Sequence, residues 1–289
     1  MPQFTDPETG KKFQTRKHCL LQHIFDRITH NGSWGIGEDH SFYLSDIIQA
    51  YEAKRIRPPT SSSNFVLDLC RKSRPSSYRL PADIIALGYD LRKKTGPDVD
   101  ANKYAGEFVY VGKGYSANSW LVWPDTYDRH IVIENTMLAP ILRFLRNDEA
   151  ALFSVIDHCD VLSQAIHGVK GTIIRIQNPM KWQPNEIDGL YYSYYSGKDI
   201  IYPIEAKARS TDDDINLDQM WGAYKTIEVR EPDIEVVPLA IKMQRNGLKI
   251  GKMVNAKVQL SLMRNFEDGL SCAEYLWVTF DPPIPSWTS

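Results

Sequence analysis

Two apolar runs of period two, Glu186 to Tyr195 and Asp199 to Lys207, flank the turn residues Ser196-Gly197. This pattern constrains the fold more than any other part of the chain, because it predicts an antiparallel hairpin whose second strand is apolar almost throughout. Alternation along that strand turns Ile200, Tyr202, Ile204 and Ala206 one way and leaves Glu205 and Lys207 together on the other face. An acid and a lysine at the end of so apolar a strand are costly to desolvate unless another charge joins them. The hairpin folds Asp188 back toward Glu205. Two carboxylates brought together repel each other, and a hard divalent cation resolves the conflict. Pro203 within the same strand cannot donate to a ladder, so a bulge or a lapse in pairing is expected there.

The surrounding pattern is α/β. Ile131 to Glu134 reads as a strand, followed by apolar helical material from Met137 to about His167, broken near Asn147-Asp148. Thr172 to Ile176 is a further strand before the hairpin. A helix is expected over Leu217 to Val229, and strands over Val236 to Met243, Val258 to Leu262 and Tyr275 to Phe280. Helix, three consecutive strands, helix and strand make a mixed sheet flanked by helices.

Asp188, sixteen intervening residues, and then Glu205-Ala206-Lys207 resemble the PD-(D/E)xK nuclease motif on its strand-hairpin-strand element. The resemblance spans roughly residues 130–245 and implies a restriction-endonuclease-like fold. It also implies that Asp188, Glu205 and the Ala206 carbonyl hold Mg2+, with Mn2+ as a substitute, and that Lys207 orients or deprotonates the attacking water. Gln219, twelve residues beyond Lys207, matches a glutamine that related nucleases direct at the site. The acidic residue that the family carries on an upstream helix has two candidates here, Glu134 and Glu149, with Glu134 preferred. Glu186 is a further acid close to the site. The residue before Asp188 is Ile187 in place of proline.

Residues 1–125 carry 17 basic and 14 acidic side chains, and residues 126–289 carry 17 and 22, so an overall charge of −2 conceals an uneven distribution. Ten basic residues against three aspartates between 54 and 94 give a local +7, a footprint suited to a polyanion. This half predicts a helix from Arg16 to His30, another from Leu44 to Lys54 with Ile47, Ile48 and Tyr51 inward, a short one over Phe65 to Cys70, and one from Pro81 to Lys94. Strands Phe108–Val111 and Trp120–Trp123 follow, forming a hairpin around Gly112-Lys113-Gly114. Short basic helices followed by a hairpin resemble a winged-helix DNA-binding domain, mostly helical. That resemblance makes Arg55, Arg57, Arg71, Lys72, Arg74 and Lys113 the candidate DNA contacts. The boundary is expected at Pro124, giving a DNA-binding domain over 1–125 and a nuclease domain over 126–289.

Other features carry less chemistry. Tyr191, Tyr192, Tyr194 and Tyr195 read as ordinary strand residues. Six basic side chains between 236 and 266 could grip a phosphate backbone. Asp212-Asp213-Asp214 reads as a cap for the next helix, and Asp157-His158-Cys159-Asp160 as unrelated helix positions. The four cysteines are far apart, the histidines lack zinc spacing, and no G-x-S-x-G or P-loop occurs. No run approaches the length of a membrane span. The expected protein is a cytoplasmic, magnesium-dependent endonuclease of the restriction type acting on double-stranded DNA, as a homodimer by analogy. The alternatives are a non-catalytic winged-helix regulator with an inert α/β domain, and a nuclease acting on RNA or branched DNA.

Overall fold

The first helix, α1 (Arg16–Ile28), starts where the Thr15 hydroxyl accepts from the His18 backbone N–H at 3.2 Å. Leu20, Leu21, Ile24 and Phe25 recur at helical spacing and are buried. The structure is a computed structural model that describes residues 3–29, 40–58, 65–66, 69–70, 79–93, 104–111, 120–177, 179–182, 185–209, 214–259 and 266–288. Two units are resolved, Met1–Ser119 with Gln259–Glu267, and Trp120–Val258 with Asp268–Ser289.

In the first unit, strands β1 (Phe4–Thr5) and β2 (Lys12–Phe13) pair, and β3 (Ser41–Tyr43) leads into α2 (Leu44–Ala53). That helix buries Ile47, Ala50 and Tyr51, but Ile48 is exposed, since its position next to Ile47 lies about 100° round the axis. Phe65, Val66, Leu69 and Cys70 join the same core. The helix expected from Pro81 to Lys94 is instead the short α3 (Ala82–Ala86), after which Gly88 takes φ +90° and the chain becomes β4 (Tyr89–Arg92). Tertiary packing overrides propensity here. Leu91 is buried in the core, and buried Asp90 lies 3.4 Å from the guanidinium of Arg79.

Strand β5 (Tyr104–Tyr110) pairs antiparallel with both β3 and β4, giving the sheet order β3-β5-β4. The expected hairpin between Phe108–Val111 and Trp120–Trp123 does not form. Trp120 makes a single bridge to Asn216, and Leu121 belongs to the core of the second unit. Among the described residues, Lys54, Arg79 and Arg92 of the basic stretch between 54 and 94 are committed internally. Lys54 is buried on Asp6 at 3.0 Å and Glu8 at 2.8 Å, Arg79 faces Asp90, and Arg92 holds Glu107 at 2.5 Å. The local excess of positive charge is therefore smaller at the surface than along the chain.

The second unit is mixed α/β. It contains β6 (Arg129–Glu134), α4 (Ala139–Leu142), α5 (Glu149–His158), a π-helical turn (Ser163–His167), β7 (Ile174–Gln177), β8 (Met180–Trp182) and β9 (Asn185–Ile187). Next come β10 (Gly189–Tyr195), β11 (Lys198–Lys207), α6 (Leu217–Arg230), β12 (Glu235–Val236), β13 (Leu239–Gln244), β14 (Gly247–Gln259), β15 (Phe266–Asp281) and α7 (Pro285–Thr288). Asp148 caps α5, accepting from the Ala151 N–H at 2.9 Å. The main sheet runs β6-β15-β14-β13-β11-β10-β7, with β12 beside β11. Strand β10 is antiparallel to both of its neighbours, β7 and β11; α6 then carries the chain over to β13, parallel to β11.

Helices cover both faces of this sheet. On one, Leu152, Phe153 and Ile156 of α5 pack with Tyr202, Ile204, Ile241, Ile250 and Val278. On the other, Met220, Ala223 and Ile227 of α6 meet Ile187, Leu190, Ile201, Ala240 and Met253. Strand β14 begins well before Val258, where the sequence pattern places it, and the part of that expected strand beyond Gln259 lies outside the described residues. Among the described residues no helix is long and apolar enough to cross a membrane.

Candidate active site

The site begins with a turn about nine residues away from it. Ser196 and Gly197 have φ of +53° and +79° between the paired residues Tyr195 and Lys198, a two-residue loop whose twist suits an antiparallel hairpin. The register this sets runs without a shift to Gly189 opposite Ile204. Asp188, in the break between β9 and β10, consequently lies across from Glu205, on the same face of the sheet.

Pro203 stays in register with Leu190 on one side. On the other side the ladder of β11 passes from β12, at Ile200 and Ile201, to β13, at Ile204 through Lys207. The proline thus falls in the gap where no partner needs its N–H.

Four groups then converge. The Asp188 carboxylate accepts from the Ala206 backbone N–H at 2.8 Å. The Lys207 ammonium donates to Glu205 Oε1 at 2.7 Å and to the Ala206 carbonyl at 3.0 Å, and lies 3.9 Å from Asp188 Oδ2. Glu205 is buried, and Asp188 and Lys207 are about one-fifth exposed. Burial and the neighbouring Glu205 charge push the Asp188 carboxyl up to about 7, against the opposing pull of Lys207 and the Ala206 N–H. Burial alone would lower the Lys207 amine, but the charges of Glu205 and Asp188 outweigh it and hold the amine above its ordinary value.

Other expected site residues are placed differently. Glu134 ends β6, four strands from β11 in the sheet order; its side chain is exposed and faces Lys170 at 3.6 Å. At roughly 4.8 Å per strand it stands far outside ligand distance, which corrects the preference for Glu134. Glu149, at the start of α5, is near enough for its charge to act on Lys207. Glu186 is exposed on β9, and its charge raises Asp188 further. Gln219 sits in the first turn of α6 without a side-chain hydrogen bond among the described residues, while Met220 and Ala223 of that helix line a crevice beside Glu205 and Glu186. The cap of α6 is Asn216, which accepts from the N–H groups of Asp218 and Gln219, in place of the aspartate run. Of that run, Asp214 is buried, and Asp212 and Asp213 lie outside the described residues.

Arg55 and Arg57 follow α2 and are exposed. Arg71, Lys72, Arg74 and Lys113 lie outside the described residues. The tyrosine run divides as strand residues do. Tyr191 is buried and donates to Asp157 at 2.8 Å, Tyr192 bonds Asp199, Tyr194 is exposed, and Tyr195 stacks on His167. Asp157 also meets the exposed Arg175 at 2.8 Å, a partly buried network with no local sequence signal, since its members are far apart in the chain. His158, Cys159 and Asp160 point to separate partners.

No group of three or more His, Cys, Asp or Glu side chains suited to a metal occurs among the described residues. The donor set here is two carboxylates and a backbone carbonyl. All three oxygens approach one cationic atom, the Lys207 nitrogen, and hard oxygens so arranged suit a small dication that keeps several waters. No family model, curated protein or solved structure matches the chain.

Proposed function

We propose that this protein is a divalent-metal-dependent DNA endonuclease of the PD-(D/E)xK type, with a restriction-endonuclease-like second unit and a winged-helix-like first unit. One observation carries the reading: Asp188, Glu205, Lys207 and the Ala206 carbonyl meet at the end of β11. The antiparallel strands β7, β10 and β11, followed by a helix and a parallel strand, support it. In the first unit the order α1, β3, α2, α3, β4 and β5, with β5 between β3 and β4 in the sheet, supports a winged-helix relation. Exposed Arg55 and Arg57 would then contact duplex phosphates.

Asp188, Glu205 and the Ala206 carbonyl would hold Mg2+ or Mn2+, with Glu149 replacing Glu134 as the nearby upstream acid. The bound ion would polarise the phosphodiester and acidify its water. Lys207, whose amine the charges of Glu205 and Asp188 hold above its ordinary value, would orient the incoming water and face the phosphate charge. The Ala206 N–H fixes the Asp188 carboxylate in place for its role as ligand. A homodimer would allow both strands to be cut.

Supercoiled plasmid incubated with Mg2+ or Mn2+, with and without a chelator, tests the reading. Cleavage should need the metal, and Glu205→Ala should lower it by more than about 100-fold, beyond the loss seen when a ligand's supporting residues are changed. Equal cutting by Glu205→Ala would remove this site from the chemistry. Duplex binding without cutting by either protein would favour the regulator.

A further inference from the structure

Among the described residues, the basic side chains between 236 and 266 are divided between the two faces of the sheet. Lys242 pairs with Lys207 in register across β13 and β11, and Lys249 pairs with Lys242 across β14 and β13. Paired residues share a face, so Lys207, Lys242 and Lys249 stand in one row on the active-site side of the sheet. Alternation puts Lys252 on the opposite face, where its charge acts on His167.

The three lysines are not equivalent. Lys207 is engaged with Glu205, and Lys242 lies 3.4 Å from buried Asp214. Lys249 makes no ion pair among the described residues, and its ammonium lies 5.8 Å from the ring centres of both Trp123 and Tyr127. Those rings are themselves braced. Trp123 donates its indole N–H to Asp214 at 3.0 Å and meets the edge of Tyr275, and Tyr127 packs on Trp277 at 5.8 Å. Two aromatic faces attract an ammonium without neutralising it. They also restrict a long, flexible side chain, so less rotamer freedom remains to be lost when it meets a ligand.

We infer that Lys249, held by Trp123 and Tyr127, is a second anchoring point for duplex DNA, gripping a backbone phosphate of the strand that enters the Asp188–Glu205 site. This deepens the nuclease reading and rests on it. Two strand spacings separate Lys249 from Lys207, roughly 10 Å. That equals about three nucleotides of rise along one strand of a duplex. Asp214 is buried and already engaged by Lys242 and by the Trp123 indole, so its charge is not presented at the surface beside Lys249.

The test is fluorescence anisotropy of a labelled duplex with the full chain in chelator, titrated from 50 to 200 mM salt. The proteins compared are wild type, Lys249→Gln, Lys249→Arg and Lys225→Gln. Losing one phosphate contact should reduce the slope of log affinity against log salt by about 0.9 in Lys249→Gln. Lys249→Arg should keep the wild-type slope. Lys225→Gln should keep it as well, because Lys225 lies over Trp221 and its charge is already paired with Glu228 on α6. Should glutamine destabilise the fold, Lys249→Met retains the apolar stem and serves in its place. An unchanged slope in Lys249→Gln, or an equal fall in Lys225→Gln, overturns the anchor. If the wild type still cuts plasmid in that case, the nuclease reading survives alone; if it neither binds nor cuts, both fail.

Discussion

Asp188 is the residue whose environment has the clearest consequence. Its carboxyl holds a proton up to about pH 7, whereas in the unfolded chain it titrates near 3.8. Between those values the folded state binds more protons than the unfolded state, so metal-free stability falls as pH rises from about 4 to 7 and levels off above. The slope from this single group cannot exceed about 1.4 kcal/mol per pH unit. Asp188→Asn should flatten that part of the profile, as read by chemical denaturation at a series of pH values. A parallel slope in both proteins would remove Asp188 as its source. This acid, Glu205 and Lys207 were legible because strand alternation and a short turn fix which side chains share a face. Glu149 could not be chosen over Glu134 on the same grounds. Strand order decides between them, and a linear pattern does not contain it.

At the scale of elements, the hairpin sets the site. Gly189 has a close neighbour as well as a place in the register, since a Cβ there would stand 2.6 Å from Phe153 Cε1. Gly189→Ala must displace the ring or the strand, and a loss of about 1–3 kcal/mol is expected from overpacking. Because Asp188 is the adjacent residue, cleavage should fall further than the melting temperature alone explains. Gly247→Ala is the harsher change, with Val278 O only 2.0 Å from the added carbon, but it lies at the start of β14, away from the carboxylates. It should therefore unfold the protein without a selective effect on cutting in the folded fraction. Comparing kcat with thermal melts for both variants checks this. The hairpin, α6 and most strands of the second unit follow from period, caps and turn residues. β4 and the early start of β14 do not, because burial of Leu91 and pairing with β13 outweigh local preference there.

For the whole molecule, the two units bear different parts of the argument, and the net charge of −2 speaks for neither. Charge density along the chain overstated the surface available to a polyanion, because Lys54, Arg79 and Arg92 have acid partners that are distant in sequence. A ligand that binds only the folded state raises its stability by RT ln(1 + [L]/Kd). Mn2+ at 100 times its dissociation constant should add about 2.7 kcal/mol, visible as an upward shift in melting temperature. Glu205→Gln should abolish most of that shift, and a shift of the same size in the variant would place the ion elsewhere. The convergence at the end of β11 has one more effect. Above about pH 7, two ionised acids against a single ammonium leave the cleft one positive charge short, and a dication reverses the sign. On the nuclease reading, loading and substrate capture then become mutually reinforcing: whichever arrives first tightens the other by an equal factor, and order of addition alters rates without altering the final complex.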